Sequence, residues 1–160
     1  MSHAAENVIV DCPASEATTY VIGFLEELGA RDDEGAVLAP SVPVGDAKID
    51  REVVAKLTSS KVTPGLTVMG FSWRPKGGGP YPTFEGNLTL TELTALTSQL
   101  TLSGEYGPPG GLAGAAFDAI LGHRLASASL RALLATLKSA IETARKESAV
   151  VAATYLPTYE

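Results

Sequence analysis

Two short runs in the middle of the chain alternate between apolar and polar side chains, and the sequence after them does not. In TFEGNLTLT (83–91), Phe84, Gly86, Leu88 and Leu90 alternate with Thr83, Glu85, Asn87, Thr89 and Thr91. In SQLTLSGEY (98–106), Leu100, Leu102, Gly104 and Tyr106 alternate with Gln99, Thr101, Ser103 and Glu105. A period of two with one dry and one wet face predicts paired antiparallel strands, and the short connection 92–97 makes them a hairpin. Pro108 and Pro109 cannot donate ladder hydrogen bonds and end the sheet, while Gly110 and Gly111 allow a tight reversal. From Leu112 to Glu147 there is no proline. Phe117, Ile120, Leu121, Leu125, Leu130, Leu133, Leu134, Leu137 and Ile141 form an apolar stripe, with Arg131, Lys138, Glu142, Arg145 and Lys146 on the polar side. This predicts one helix about 50 Å long at about 1.5 Å per residue. A sheet with one dry face must be covered, and this helix is long enough to do it.

Upstream, NVIVDCP predicts a first strand closed by Pro13, which has no place in a central ladder. Ser15 can cap a following helix whose apolar positions are Tyr20, Val21, Phe24, Leu25 and Leu28, with Gly29 as its stop. The β-branched Thr18, Thr19, Val21 and Ile22 predict a break into two short helices. GAVLAP is a brief strand. AKIDREVVAKLTS reads as a single strand with Ile49, Arg51, Val53, Ala55 and Leu57 on one face. GLTVMGFSWRP, with Met69, Phe71 and Trp73 on one face and Leu66, Val68 and Gly70 on the other, reads as a central strand. RPKGGGPYP (74–82) is the strongest loop signal.

A chain of 160 residues fits one domain, and 45% apolar with 19% charged residues places it among globular proteins. The net charge of −6 argues against a nucleic-acid partner, which rewards clustered Lys and Arg. One cysteine, Cys12, excludes an internal disulfide and fits a reducing compartment. MSHAAENVIV lacks the basic start and apolar core of a signal peptide, and no run approaches a membrane span, so the expected location is cytoplasmic. Two histidines and one cysteine without metal-like spacing argue against a metal site. KGGGP lacks the Lys-Ser/Thr ending of a phosphate loop, so no nucleotide cofactor is expected.

The element order, with DCPASEA near the start and GEYGPPGGLAGAAFDAILGHRLASASLRALL near the end, resembles the START/SRPBCC helix-grip superfamily. That group includes START lipid-transfer domains, pollen allergens and polyketide cyclase-like bacterial proteins, among them short actinobacterial members of unknown role. The resemblance implies an α+β fold in which a curved antiparallel sheet wraps a long C-terminal helix. It covers a ligand-binding domain at residues 6–147, with 148–160 as a tail. It also implies a cavity between sheet and helix for an apolar or amphipathic small molecule. The superfamily's members bind, transfer, cyclise or hydrolyse, so the resemblance leaves the chemistry open.

Met69, Phe71, Trp73, Tyr81, Phe84, Tyr106 and Phe117 are the expected lining, each also readable as ordinary core. Trp73 and Tyr81 add a polar handle each. Arg51, on an otherwise apolar strand face, is either an anchor for a carboxylate or half of an ion pair with Glu105 or Asp118. His123 is a ligand contact or a structural histidine; Asp118, five residues earlier, does not share its helix face. Cys12 with His123 as base would make a nucleophile pair, but no nucleophile motif surrounds Cys12. No catalytic residue is assigned. The leading expectation is a carrier or sensor of a hydrophobic small molecule. The alternatives are a cyclase/aromatase-like enzyme using the same cavity, and an interaction module with a filled core.

Overall fold

The computed structural model describes residues 2–44, 46–78, 81–107 and 119–155. The elements are β1 (Ser2–Val10), α1 (Ala14–Arg31), β2 (Ala36–Leu38), β3 (Ser41–Val44), β4 (Ala47–Asp50), β5 (Val53–Thr63), β6 (Leu66–Pro75), β7 (Thr83–Glu92), β8 (Ser98–Gly107) and α2 (Ala119–Tyr155). Six strands form one antiparallel sheet in the order β1-β8-β7-β6-β5-β2, and β3 and β4 pair separately. β6 is flanked on both sides, as its two-sided apolar pattern requires. The alternation of β7 and β8 points Phe84, Leu88, Leu90, Leu100, Leu102 and Tyr106 into the core. Their hairpin closes with the Leu93 amide donating to the Thr97 carbonyl at 3.1 Å.

α2 covers the sheet with Leu130, Leu133, Leu134, Leu137 and Ile141, all essentially without exposure. Its 37 residues make it about 55 Å long, and it runs past Glu147 to Tyr155. The edge strand β1 is tied to it by polar contacts. Arg131 Nη1 meets Glu6 Oε1 at 2.8 Å, and Lys138 Nζ donates to the Ile9 carbonyl at 2.9 Å. The Asp11 amide donates to Glu142 at 2.8 Å. An unpaired edge is open to further pairing, and these contacts occupy part of it.

Between β1 and β2 there is one helix, not the two short ones expected. Thr18 and Thr19 return their hydroxyls to the carbonyls of Ala14 and Ser15, four residues back, which is compatible with a continuous helix. Ala17, Val21 and Leu25 are buried. That burial outweighs a propensity deficit of a few tenths of a kcal/mol per β-branched residue. The helix starts directly after Pro13, with no side-chain cap, and passes through Gly29 to Arg31.

AKIDREVVAKLTS is likewise two strands. Arg51 and Glu52 form a corner between β4 and β5, held where Lys76 N–H donates to the Glu52 carbonyl at 3.0 Å. No described helix is long and apolar enough to cross a membrane.

Candidate functional site

Register places the core-facing side chains in rows across the sheet. Ala55 on β5, Trp73 on β6, Phe84 on β7 and Tyr106 on β8 form one row. Trp73 and Phe84 stack with ring centroids 4.6 Å apart and planes 15° from parallel. The next row is Leu57, Phe71, Gly86 and Gly104. Here two adjacent strands contribute no side chain. The backbones also approach closely: a Cβ on Gly86 would stand 2.2 Å from the Ser103 carbonyl oxygen and 2.6 Å from Gly104 Cα. Beyond it lie Met69, Leu88 and Leu102, each 0% exposed.

α2 shows the same gradient. Its buried positions run Gly122, Ala126, Ala128 and Ser129 near its described start, and then Leu130, Leu133, Leu134, Leu137 and Ile141. Two contacts fix which part of the helix meets the aromatic row. The Tyr106 hydroxyl lies 3.3 Å from His123 Nδ1, and the Tyr81 hydroxyl bonds the buried Ser129 hydroxyl. Ser129 in turn donates to the Leu125 carbonyl at 2.7 Å.

The two expected polar handles are therefore engaged. Trp73 Nε1 donates to the Pro82 carbonyl at 2.9 Å. Tyr81 is held by Ser129, and burial pushes its phenol above the ordinary range. Both bonds pin the β6–β7 connection, Tyr81 to α2 and Pro82 to the sheet. Arg51 reaches the same connection from the β4–β5 corner, donating through Nη2 to the Gly78 carbonyl. Its Nε is buried and has no partner among the described residues. Arg51 forms no ion pair among the described residues; of the two partners weighed, Glu105 lies on β8 and Asp118 lies outside the described residues.

Met69, Phe71, Trp73, Tyr81, Phe84 and Tyr106 thus belong to one buried cluster; the exposed His123 reaches it through Tyr106, and Arg51 stands half-buried at the β4–β5 corner. Phe117, the small residues 112–116 and the Pro-Pro-Gly-Gly junction lie outside the described residues. Ser129 was not singled out from the sequence. The available signal was a hydroxyl within the apolar stripe of ASASLRALL, on the inward side. Cys12 and His123 are not brought together. The charges around Cys12 are those of Glu16, Arg145, Asp11 and Glu142. Arg145 lies about 33 Å beyond His123 along α2 at about 1.5 Å per residue.

Open grooves also mark the surface. One of about 950 Å³ runs between α1 and α2, bordered by Tyr20, Phe24, Ala140 and Ala144. A cleft of about 400 Å³ lies between α1 and β5–β6, bordered by Leu25, Leu57 and Met69. Among the described residues no three His, Cys, Asp or Glu side chains gather to hold a metal.

An antiparallel sheet with a long C-terminal helix and α1 packed against it defines an α+β fold. No family model matches the chain, and no curated protein matches it in sequence. Solved structures do match in fold. A conserved protein from Geobacillus kaustophilus superposes with a TM-score of 0.58 at 12% identity, over 89% of this chain and 97% of the other. The Zhui aromatase/cyclase from Streptomyces sp. R1128 superposes with a TM-score of 0.53 at 17% identity, over 92% of this chain and 95% of its own. At such identities the likeness concerns the fold alone.

Proposed function

We propose that this protein binds an apolar or amphipathic small molecule between the sheet and the first half of α2, as a carrier or sensor. The observation that supports the reading is the aromatic row Trp73, Phe84 and Tyr106 on the core face of the sheet, which meets α2 at His123. At this level α2 contributes the buried Gly122 and Ala126 and the half-buried Leu125. Aromatic walls with few open polar groups suit a lipophilic guest. The lining is Met69, Phe71, Trp73, Tyr81, Phe84, Tyr106 and Phe117, with Arg51 and His123 at the margin.

The fold match to an aromatase/cyclase keeps a cyclase-type enzyme as the second reading. Such chemistry needs polar groups converging on the guest. Tyr81 and Trp73 are committed to Ser129 and Pro82, which favours a binder.

Trp73 is the single tryptophan and reports on the site directly. Titration with the neutral apolar probe 1-aminoanthracene is expected to quench Trp73 emission saturably. Ala126→Met, which adds bulk on the helix side and leaves Trp73 as the single tryptophan, is expected to weaken uptake while far-ultraviolet circular dichroism is retained. Absence of saturable quenching in the wild type overturns the reading.

A further inference from the structure

We infer that a second copy of this chain docks in the groove between α1 and α2, each copy inserting the end of α2 that projects beyond its own sheet. The groove, about 950 Å³, is bordered on α1 by the half-buried Tyr20 and Phe24 and on α2 by Thr136, Ala140, Ala144 and Glu147. Those α2 positions recur at helical spacing, and the same stripe continues to Val151. Its small side chains let another helix approach closely. Arg145 ties α2 to the end of β1, donating to the Asp11 carbonyl at 2.7 Å. From Lys146 to Val151 every residue is exposed, Val150 by 64% and Val151 by 54%, yet the helix runs on to Tyr155. The run AVVAA (149–153) is apolar on every side of that helix, which is the pattern of a buried segment. Helices draw most of their stability from packing, so a segment of this kind is completed by a partner.

Charge identifies the partner. Lys146 and Glu147 stand side by side where the groove gives way to the projecting end; both are exposed, and neither forms an ion pair among the described residues. Glu27, also on the groove rim, is already paired with Arg31 at 2.6 Å. A twofold axis beside Lys146 and Glu147 brings the same surface of both copies together. With the two α2 helices antiparallel about that axis, Lys146 of each chain meets the partner's Glu147. Val151 then falls over the partner's Ala140–Ala144 turn, about 7 Å from the axis at about 1.5 Å per residue. The lengths agree: Glu147 to Tyr155 spans about 12 Å, and the groove from Thr136 to Glu147 about 16 Å. An anionic membrane, the other taker of an exposed apolar helix end, rewards clustered Lys and Arg. This end carries one charge of each sign, on a chain of net charge −6.

Sedimentation equilibrium of the full chain from about 1 to about 200 μM is expected to show a concentration-dependent dimer of twice the 16.5 kDa chain. Val151→Glu is expected to leave the protein monomeric with its circular dichroism retained, since that side chain is exposed within one copy. Lys146→Glu and Glu147→Lys should each weaken dimerisation about tenfold by setting like charges across the axis, and the double exchange should restore it. A wild type that stays monomeric over this range overturns the proposal; if it then co-sediments with vesicles of phosphatidylcholine and phosphatidylglycerol, the projecting end serves a membrane instead. A dimer that withstands Val151→Glu, or a double exchange no better than either single one, overturns this interface.

Discussion

Ser129 donates its one hydroxyl proton to the Leu125 carbonyl, so Tyr81 is the donor in the buried bond between the Tyr81 and Ser129 hydroxyls. The bond joins the β6–β7 connection to the third described turn of α2, just before the buried Leu130. It has a direction, and the direction makes the two partners unequal.

Removing the donor leaves Ser129 still bonded to Leu125, whereas removing Ser129 leaves a buried phenol without an acceptor. Tyr81→Phe is therefore expected to cost about 1 kcal/mol, and Ser129→Ala about 1–3 kcal/mol. The double variant should cost less than the sum of the two. Urea unfolding of the three variants checks the order; a larger loss for Tyr81→Phe would contradict the assigned direction.

Gly86 and Gly23 are expected to respond to alanine with opposite signs. A Cβ at Gly86 meets the Ser103 and Gly104 backbones well inside contact distance, whereas one at Gly23 in α1 meets nothing within 4 Å. Gly23→Ala should stabilise by about 0.5–1 kcal/mol through helix propensity. Gly86→Ala should destabilise by about 3 kcal/mol or prevent folding, because two strands must separate to admit it. Thermal melts distinguish the two outcomes.

The Cys12 thiol is fully buried, and burial first, then the nearby Glu16, pushes its pKa to about 11 from 9.0. The folded value exceeds the unfolded one, so the folded state holds the proton more tightly. Stability from this group is complete below about pH 9 and declines as pH rises toward 11, by about 2–3 kcal/mol in all. Denaturation midpoints of wild type and Cys12→Ala across this window should converge as pH rises. At pH 8 the native thiol should react with Ellman's reagent far more slowly than the unfolded one.

Glu142 joins α2 to the end of β1, accepting from Lys138 at 2.7 Å and from the Asp11 amide at 2.8 Å. Burial raises its pKa, but these two donors prevail and hold the carboxyl below its ordinary range. Its contribution is present above the unfolded value and is lost as pH falls through the lowered folded value. Glu142→Gln is expected to cost about 1 kcal/mol at neutral pH and progressively less as the solution is acidified below pH 4. A pH-independent difference would mean that the charge plays no part.

Strand polarity was legible because the determinant is local. The alternation of Leu88 and Leu90 with Asn87 and Thr89 fixes which side chains are buried whatever lies above the sheet. The inward stripe of α2 was legible for the same reason from Leu130 to Ile141. The continuity of α1 was not, since Val21 favours helix there only through burial against the rest of the fold. Nor was the corner at Arg51: nothing in IDREV shows that Glu52 will accept from Lys76 or that Arg51 will reach Gly78. The aromatic members of the site were named from one face of their strands. Ser129, the partner that ties Tyr81 down, was missed because its role depends on a contact 48 residues away.

By itself, then, the sequence determined the periods: which residues face inward along the long strands and along the described part of the long helix. Tertiary structure decided the meeting points, among them Tyr81 on Ser129, Tyr106 on His123 and the Gly86–Gly104 approach. The physical reason is range. Backbone geometry imposes its repeat on every neighbouring residue, whereas a hydrogen bond between distant segments exists only once packing has brought its two ends within about 3 Å.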